Sequence, residues 1–265
     1  QRAQKRRRGR RLGRRLPRGW GDFGLQLAIW LGFGLLYQIA RGVADRGPDE
    51  AYANGRAIID AQRATLGLFD LDLNRYVADV GGALVESVNW TYWNSQFTVV
   101  GLALLWVYFF RTERFLKFRN TLLLCNVLGL VGFMAMPTAP PRLFPEVGYI
   151  DTLATAASLN HGSGLVQLAS NQFAAMPSLH SADSLIVGVT LALLVRNPLL
   201  KLLCLAWPAW VWFTVMATGN HYWLDIAGGI ALAIVTVSIV AVVERRLAAR
   251  RAPELEVATV PNPLR

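Results

Sequence analysis

Residues 219–243, GNHYWLDIAGGIALAIVTVSIVAVV, decide the fold of this chain. From residue 221 to residue 243 the one charged side chain is that of Asp225. About 20 consecutive apolar residues are enough to cross the hydrocarbon core of a bilayer. A helix in a soluble bundle would need a polar face at helical spacing, which this stretch lacks. The segment therefore predicts a membrane-spanning helix.

The rest of the chain has the same character. Of its 265 residues, 54% are hydrophobic and 17% are charged, whereas roughly 25% are charged in a typical soluble domain. Cys125 and Cys204 both fall inside apolar runs, which favours buried thiols over a disulfide or a metal site. We predict an all-α polytopic membrane protein, a bundle of six transmembrane helices. The predicted spans are residues 20–40, 93–110, 121–136, 179–195, 199–218 and 221–243.

The basic residues predict the topology. Ten of the 27 Lys and Arg residues precede Trp20, and others cluster between spans two and three, between spans four and five, and after span six. The alternate loops are acidic or nearly neutral. By the positive-inside rule, both termini of this cell-membrane protein are cytoplasmic and the alternate loops face outward. A nucleic-acid arm at the N-terminus is disfavoured because no folded recognition module accompanies it. A cleaved signal peptide is disfavoured because the first apolar run is too long.

This topology divides the chain into three parts. Residues 1–19 form a basic cytoplasmic tail, residues 20–245 a six-helix membrane catalytic domain, and residues 246–265 a cytoplasmic tail that looks disordered after Arg251. Outer loops are expected at 41–93 and 137–177. In the first of them, residues 51–63 place Ala57, Ile58 and Ile59 opposite charged residues, which predicts an amphipathic helix on the membrane surface.

Aromatic residues stand near the predicted outer interface. Membrane proteins concentrate Trp and Tyr at the level of the lipid headgroups. We therefore predict interfacial positions for Trp90, Tyr92, Trp93, Tyr222 and Trp223.

Three segments that are distant in sequence end at the same predicted outer face. Arg142 follows the third span, and Ser178 and His180 begin the fourth. His221 lies 41 positions after His180, about the length of one membrane hairpin, and is expected in the first helical turn of span six with Asn220 as its N-cap. The topology thus brings an arginine, a serine and two histidines to one membrane level.

These residue types suit phosphoryl transfer without a metal or cofactor. Asp225 lies four positions after His221, on the same helical face, so it can accept a hydrogen bond from one imidazole nitrogen and leave the other free as a nucleophile. His180 could then protonate the leaving alkoxide. Arg142 and Ser178 could bind the phosphate oxygens. The sequence contains no Gly-rich phosphate loop and no Cys/His metal spacing.

Several of these residues also have simpler explanations. Ser178 could serve only as a helix N-cap, and Arg142 could extend towards lipid headgroups. Asp183 could orient His180 or could be a solvated charge at the helix start. His161 lies in a loop next to a glycine, and we assign it no role.

At three motifs the chain resembles the type 2 phosphatidic acid phosphatase superfamily, and most closely the branch of the inositol-phosphorylceramide synthases and their bacterial relatives. The motifs are Pro-Pro-Arg at 140–142, Met-Pro-Ser-Leu-His at 176–180 and Gly-Asn-His-Tyr-Trp-Leu-Asp at 219–225. The resemblance implies a phosphohistidine at His221 supported by Asp225. It implies an acid and then base role for His180, and phosphate binding by Arg142 and Ser178.

The chain departs from the superfamily pattern at three positions. It has Leu179 where the superfamily has glycine, Ala135 where it has lysine, and Val215 where it has arginine. With fewer cations, a phosphodiester or another less charged phosphate is the expected substrate. This favours the transferase-like branch but leaves hydrolysis open.

The function expected from these observations is cleavage of a lipid-linked phosphoester at the extracytoplasmic face. The substrate would be a phospholipid or a polyprenyl phosphate, and the group would pass to water, a polyol or a lipid alcohol. A head-group transferase with little hydrolysis is the alternative within this chemistry. A proton-coupled transporter or channel is the alternative from another class, although its polar residues should cross the bilayer rather than cluster at one face. Membrane lipids are expected partners, and nucleic acid is not.

Overall fold

The computed structural model describes residues 16–43, 48–155 and 173–259. Within these ranges the chain forms helices joined by turns and loops, with one isolated bridge between Thr138 and Ala174 and no strand. The helices are α1 (Gly19–Val43), α2 (Pro48–Arg63), α3 (Phe69–Val80), α4 (Gly82–Phe110), α5 (Thr112–Ala135), α6 (Leu179–Leu194), α7 (Pro198–Ala217) and α8 (Trp223–Thr259), with short turns of helix at Pro141–Leu143 and Thr152–Thr155.

The all-helical prediction is confirmed for the described part of the chain, together with its membrane character. Four helices there are long and apolar enough to cross a membrane, namely α4, α5, α7 and the Trp223–Arg250 part of α8. The apolar helix α6 is shorter, with 16 residues, and α1 covers the first predicted span over 25 residues. The structure thus supports four spans directly, and the other two stay predictions.

Several helix boundaries differ from those predicted. α4 begins at Gly82 rather than at residue 93, and α5 begins at Thr112 rather than at residue 121. In both cases the more polar residues before the apolar run are also helical. α8 begins at Trp223 and continues to Thr259. The predicted disorder after Arg251 is therefore wrong for residues 252–259.

Helix α4 contains one wide turn. Residues Ser95–Val99 form a π-helix between two regular α-helical segments. Such turns are rare in proteins, and those that exist are often found at functional sites. Here the turn carries Gln96, whose side chain reaches the carboxylate of Asp183 on α6.

Helices α6 and α8 approach each other closely at their N-terminal ends. The backbone N–H of Ser178 donates to the carbonyl of Asp225 at 3.0 Å, and the hydroxyl of Ser181 donates to the carbonyl of Ile226 at 3.2 Å. A Cβ at Gly229 would lie 2.3 Å from the carbonyl oxygen of Ser178. The two helices can therefore approach this closely only where residue 229 has no side chain.

Helix α2 is present where an amphipathic helix was predicted, but protein covers its apolar face. Ile58 and Ile59 are buried, and a Cβ at Gly55 would meet the ring of Phe144 at 2.7 Å. Ala57, which we predicted on the apolar face, is exposed. The buried face packs on the segment that follows α5. Aromatic side chains of this segment belong to the same hydrophobic cluster as Ile58 and Ile59. The predicted position on the membrane surface stays a prediction.

Helices α2 and α3 form a cap over the loops at one end of the bundle. Asn74 of α3 donates from Nδ2 to the carbonyl oxygens of Ala217 at 2.8 Å and Ile150 at 3.0 Å, and its Oδ1 accepts from the N–H of Ile150. Tyr222, predicted at the lipid interface, is buried beneath this cap and donates from its hydroxyl to the carbonyl of Ala139 at 3.0 Å. The cap thus joins the loops after α5 and α7.

Asp70 is the buried carboxyl group of the cap. Tyr149 donates to its Oδ2 at 2.7 Å, and Gln62 Nε2 lies 2.5 Å from its Oδ1. Burial raises the pKa of Asp70 from 3.8 to about 6. Gln62 Oε1 is buried without a hydrogen-bond partner in the described structure. The hydrogen bonds from Tyr149 and Gln62 lower this pKa, and burial outweighs them.

We expect Gly229→Ala to lower the free energy of unfolding by at least about 2 kcal/mol, because the new methyl group meets backbone rather than a flexible side chain. Gly228→Ala is the matched control, since its Cβ would lie 3.4 Å from the end of the Met176 side chain. In the interior of a helix, alanine is also more favourable than glycine by about 1 kcal/mol, and this gain applies to both variants. Thermal unfolding in detergent measures both. Equal unfolding temperatures for the two variants would contradict the close-approach argument.

The cap should lose stability as pH rises. The pKa of Asp70 is about 6 in the folded protein and 3.8 ordinarily, so the stabilisation is complete below about pH 4 and is lost as pH rises through about 6. The expected loss is about 3 kcal/mol. Asp70→Asn should remove this part of the pH dependence, measured by thermal unfolding between pH 4 and 7. Asp72→Asn, at an exposed site on the same helix, should keep it, and parallel profiles for wild type and Asp70→Asn would disprove the assignment.

Candidate active site

His221 lies in the sharp turn between α7 and α8. Gly219 has a φ of +68°, a conformation that favours glycine. After it, the backbone N–H groups of Asn220 and His221 both donate to the carbonyl of Val215 at 3.1 Å. α8 begins two residues later, so the predicted position of His221 in the first helical turn is wrong. The turn holds the histidine against the end of α7 instead.

Asp225 connects this turn to α8. Its Oδ2 accepts from the backbone N–H of Tyr222 at 2.9 Å, which is how a carboxylate at the third helical position satisfies the N-cap residue. The same oxygen lies 3.3 Å from Nδ1 of His221. The predicted contact between this aspartate and this histidine is therefore present. Because Nδ1 faces the carboxylate, Nε2 lies on the side of the ring away from Asp225.

His180 stands in the first turn of α6, opposite His221. The two imidazole rings have centroids 5.6 Å apart, at an angle of 61°. Tyr92 stacks on His180 at 4.7 Å with an angle of 21°. We had predicted an interfacial position for Tyr92, and the structure places it against a histidine of the site. The predicted meeting of the two histidines at one level is present.

Ser178 is the N-cap of α6. Its hydroxyl oxygen accepts from the N–H of Ser181 at 3.3 Å, and its side chain is fully buried. The simpler of the two explanations for this residue is thus supported by geometry. Phosphate binding by Ser178 stays a prediction. Its position two residues before His180 is compatible with that role.

Arg142 is held inward by the turn that carries His221. Its backbone N–H donates to the carbonyl of Gly219 at 2.7 Å, and its Nη1 donates to Oδ1 of Asn220 at 2.5 Å. Its Nε lies 3.7 Å from Oδ2 of Asp151. Asn220, which we predicted as an N-cap, instead positions the guanidinium and is itself held by donating to Thr218. Arg142 therefore belongs to the site rather than to the lipid headgroups.

These groups surround a small polar pocket of about 30 Å³. Its lining combines the site residues with side chains from α1 and α4. The main lining residues are Tyr37, Tyr92, Gln96, Arg142, Leu179, His180, Asn220 and His221. Ser178 is not part of the lining.

The pocket has little positive charge. Arg142 is the one Lys or Arg among the described lining residues, and Asp151 lies beside it. Val215, where the superfamily pattern has an arginine, is buried in an apolar cluster, and Ala135, where it has a lysine, is exposed at the end of α5. An anion with a single charge matches this environment better than one with two.

Asp183 does not have the solvated position that was one of its two alternatives, and its orienting of His180 stays a prediction. It is buried rather than solvated, and Asn126 Nδ2 lies 3.0 Å from each of its carboxylate oxygens. Gln96 also forms a hydrogen bond to it. No group of His, Cys, Asp and Glu suited to hold a metal occurs among the described residues. His161 lies outside them.

A family model described as the PAP2 superfamily matches residues 56–239. A phosphoinositol dihydroceramide synthase from Bacteroides thetaiotaomicron is 28% identical over 142 residues, which cover 48% of this chain and 46% of that protein. The chain therefore spans about half the length of this curated relative. No solved structure is significantly similar to the chain.

Proposed function

Because the chain belongs to the PAP2 superfamily, and is thus a membrane phosphatase or phosphotransferase of that type, we propose that it cleaves a lipid-linked phosphoester through a phosphohistidine at His221. The contact of His221 Nδ1 with Asp225, directly opposite His180, is the observation that carries the proposal. It supplies a nucleophile with an orienting carboxylate and a second imidazole on the other side of the pocket.

The first step forms a bond from Nε2 of His221 to phosphorus and breaks the bond from phosphorus to the leaving oxygen. His180, protonated at the start, donates its proton to that oxygen, so the lipid or head-group alcohol leaves neutral. Asp225 stabilises the positive charge that develops on the His221 ring. Arg142 neutralises the phosphoryl oxygens, which carry more negative charge in the transition state.

In the second step His180 acts as a base. It removes a proton from water or from an acceptor alcohol, whose oxygen attacks the phosphorus of phosphohistidine. The bond to Nε2 breaks, and the electron pair returns to the imidazole. Water as acceptor gives hydrolysis, and an alcohol gives transfer.

We place the site at the extracytoplasmic face. The support is the distribution of basic residues, which are frequent in the loops at the opposite end of the bundle. Six spans are part of the same proposal. α1, with 25 residues, measures about 37 Å at 1.5 Å per residue and can cross a bilayer. α6, with 16 residues, measures about 24 Å, which is shorter than the hydrocarbon core of about 30 Å.

Transfer of a phosphorylated head group is the second candidate. A phosphodiester carries one charge, which suits a pocket with one arginine partly neutralised by Asp151. The name of the Bacteroides relative points in the same direction, since that protein is described as a phosphoinositol dihydroceramide synthase. An inositol-phosphate group and a lipid alcohol acceptor are therefore the first donor group and acceptor to test.

The two histidines should respond differently to an activated substrate. We expect a ³²P-labelled aryl phosphodiester to label wild-type protein at His221, because a nitrophenolate leaves without an acid. His221→Asn should abolish labelling and reduce turnover by several orders of magnitude. His180→Gln should accumulate label, since its second step lacks a base. Acid-labile, base-stable protein label measures the intermediate.

His161→Asn is the control for this experiment, because we assign that histidine no role. It should behave like the wild type. Labelling of the His221→Asn variant at the wild-type level would disprove the assigned nucleophile, and unchanged turnover by His180→Gln would disprove the acid and base role.

Neutralising Asp151 should shift substrate preference towards doubly charged phosphates. Asp151→Asn retains a capping oxygen for the N–H groups of Leu153 and Ala154 but leaves Arg142 without its carboxylate neighbour. We expect the kcat/KM ratio of monoester to diester to rise roughly five-fold, equivalent to about 1 kcal/mol. Asp60→Asn, at an exposed pair with Arg63 on α2, is the control. An unchanged ratio would contradict the charge argument.

A further inference from the structure

A cavity of about 290 Å³ lies between α1, the wide turn of α4, α5 and α6. This volume is near the lower end of the range for ligand pockets. Most of the lining is apolar or aromatic and comes from α1 and the facing helices. The principal apolar residues are Ile29, Trp30, Phe33, Phe97, Leu104 and Leu122.

One wall of this intramembrane cavity is polar. Asp183, Asn126 and Gln96 all line it, and the two amides hydrogen-bond to the carboxylate. Ionisable groups at membrane depth are costly and are commonly functional. The reaction described above does not use this carboxylate, so the polar wall needs another explanation.

The cavity adjoins the active-site pocket. Tyr37 and Gln96 line both spaces. Asp183 follows His180 by three residues on α6, which corresponds to a rise of about 4.5 Å along the helix. A ligand whose phosphoester is at His180 would therefore place its next few atoms beside Asp183 and its hydrocarbon chain along α1.

The chemistry of the polar wall limits which lipid fits. In the contacts that the structure shows, the carboxylate oxygens of Asp183 accept hydrogen bonds, and a carboxylate has about four such sites. Asn126 and Gln96 hydrogen-bond to it, and Asp183 also lines the cavity. A lipid with an amide N–H or a hydroxyl near its reacting oxygen can donate there. A lipid with only ester groups at these positions cannot, and its oxygens would face the carboxylate.

We propose that the intramembrane cavity binds the hydrocarbon chain of the lipid substrate, and that Asp183 with Asn126 and Gln96 selects lipids that carry an N–H or O–H donor a few bonds from the reacting oxygen. This inference rests on the proposed function, because it takes the reacting phosphoester to lie at His180 and His221. Asp183 is a specificity-determining residue in this proposal and does not touch the reacting atoms.

The first test fills the cavity. Gly34 lines it, and a Cβ at this residue meets nothing within 4 Å, so Gly34→Leu should occupy the space without disturbing the fold. Gly32→Leu is the matched control, on the same helix, with open space at its Cβ and outside the cavity lining. We expect Gly34→Leu to reduce kcat/KM at least ten-fold for a long-chain lipid phosphoester and to leave a short-chain ester unchanged. Equal effects on both chain lengths, or equal effects of the two variants, would overturn the chain site.

The second test concerns the donor. Two synthetic lipid phosphoesters are compared that differ only in the amide next to the reacting carbon, one with N–H and the other N-methylated. Wild type should prefer the N–H lipid about ten-fold, as expected when a buried acceptor loses its donor. Asp183→Asn should lose that preference. Ser184→Ala, on the same helix but outside the cavity lining, should keep it. An equal preference in wild type and Asp183→Asn would overturn the role of Asp183.

A lipid with a photoactivatable group in mid-chain distinguishes a failure of the chain site from a failure of the proposed function. Labelling of α1 and α5 peptides in the His221→Asn variant would support the chain site without any turnover. If wild type turns over short-chain phosphodiesters but α1 and α5 are not labelled, the proposed function stands and this inference fails. If α1 and α5 are labelled but wild type turns over no phosphoester, the proposed function fails and the chain site alone is supported.

Discussion

The contact between α6 and α8 is the constraint on which the rest of the site depends. Gly229 lets the carbonyl of Ser178 come so close that a methyl group would not fit between the helices. The hydrogen bond from Ser178 to the carbonyl of Asp225 then fixes their relative height. His180 begins one helix and His221 precedes the other, so this height decides the separation of the two imidazoles. Packing at the backbone level thus sets a distance between two side chains.

Much of this arrangement was predictable from the sequence, because it follows from topology. The spacing of His180 and His221 places both at one face of a membrane hairpin, and the four-residue spacing of His221 and Asp225 predicts their contact. That contact forms although His221 lies outside the helix, since the carboxylate reaches back to the turn. The position of Asn220 was not predictable, because the glycine turn before it redirects its side chain to Arg142.

The features that the sequence did not reveal depend on long-range packing. Tyr92 looked like one more interfacial aromatic residue, and its stack on His180 depends on the direction of α4 past a π-helical turn. Asp183 could not be assigned, because its partners come from α4 and α5, 87 and 57 positions away. The signal that was present in the sequence was a carboxylate inside an apolar run. The apolar face of α2 was correctly recognised as one side of a helix, but periodicity alone cannot distinguish lipid from protein as its partner.

The extent of the family match has a consequence for the evolution of this protein. The matched residues 56–239 contain Arg142, His180, His221 and Asp225, whereas α1 lies outside them. α1 nevertheless supplies one wall of the intramembrane cavity. The cavity is therefore lined partly from outside the matched stretch, whereas Asp183, Asn126 and Gln96 lie within it. Substitutions at α1 positions other than Tyr37, which also lines the active-site pocket, would reshape the cavity while leaving the motif residues unchanged.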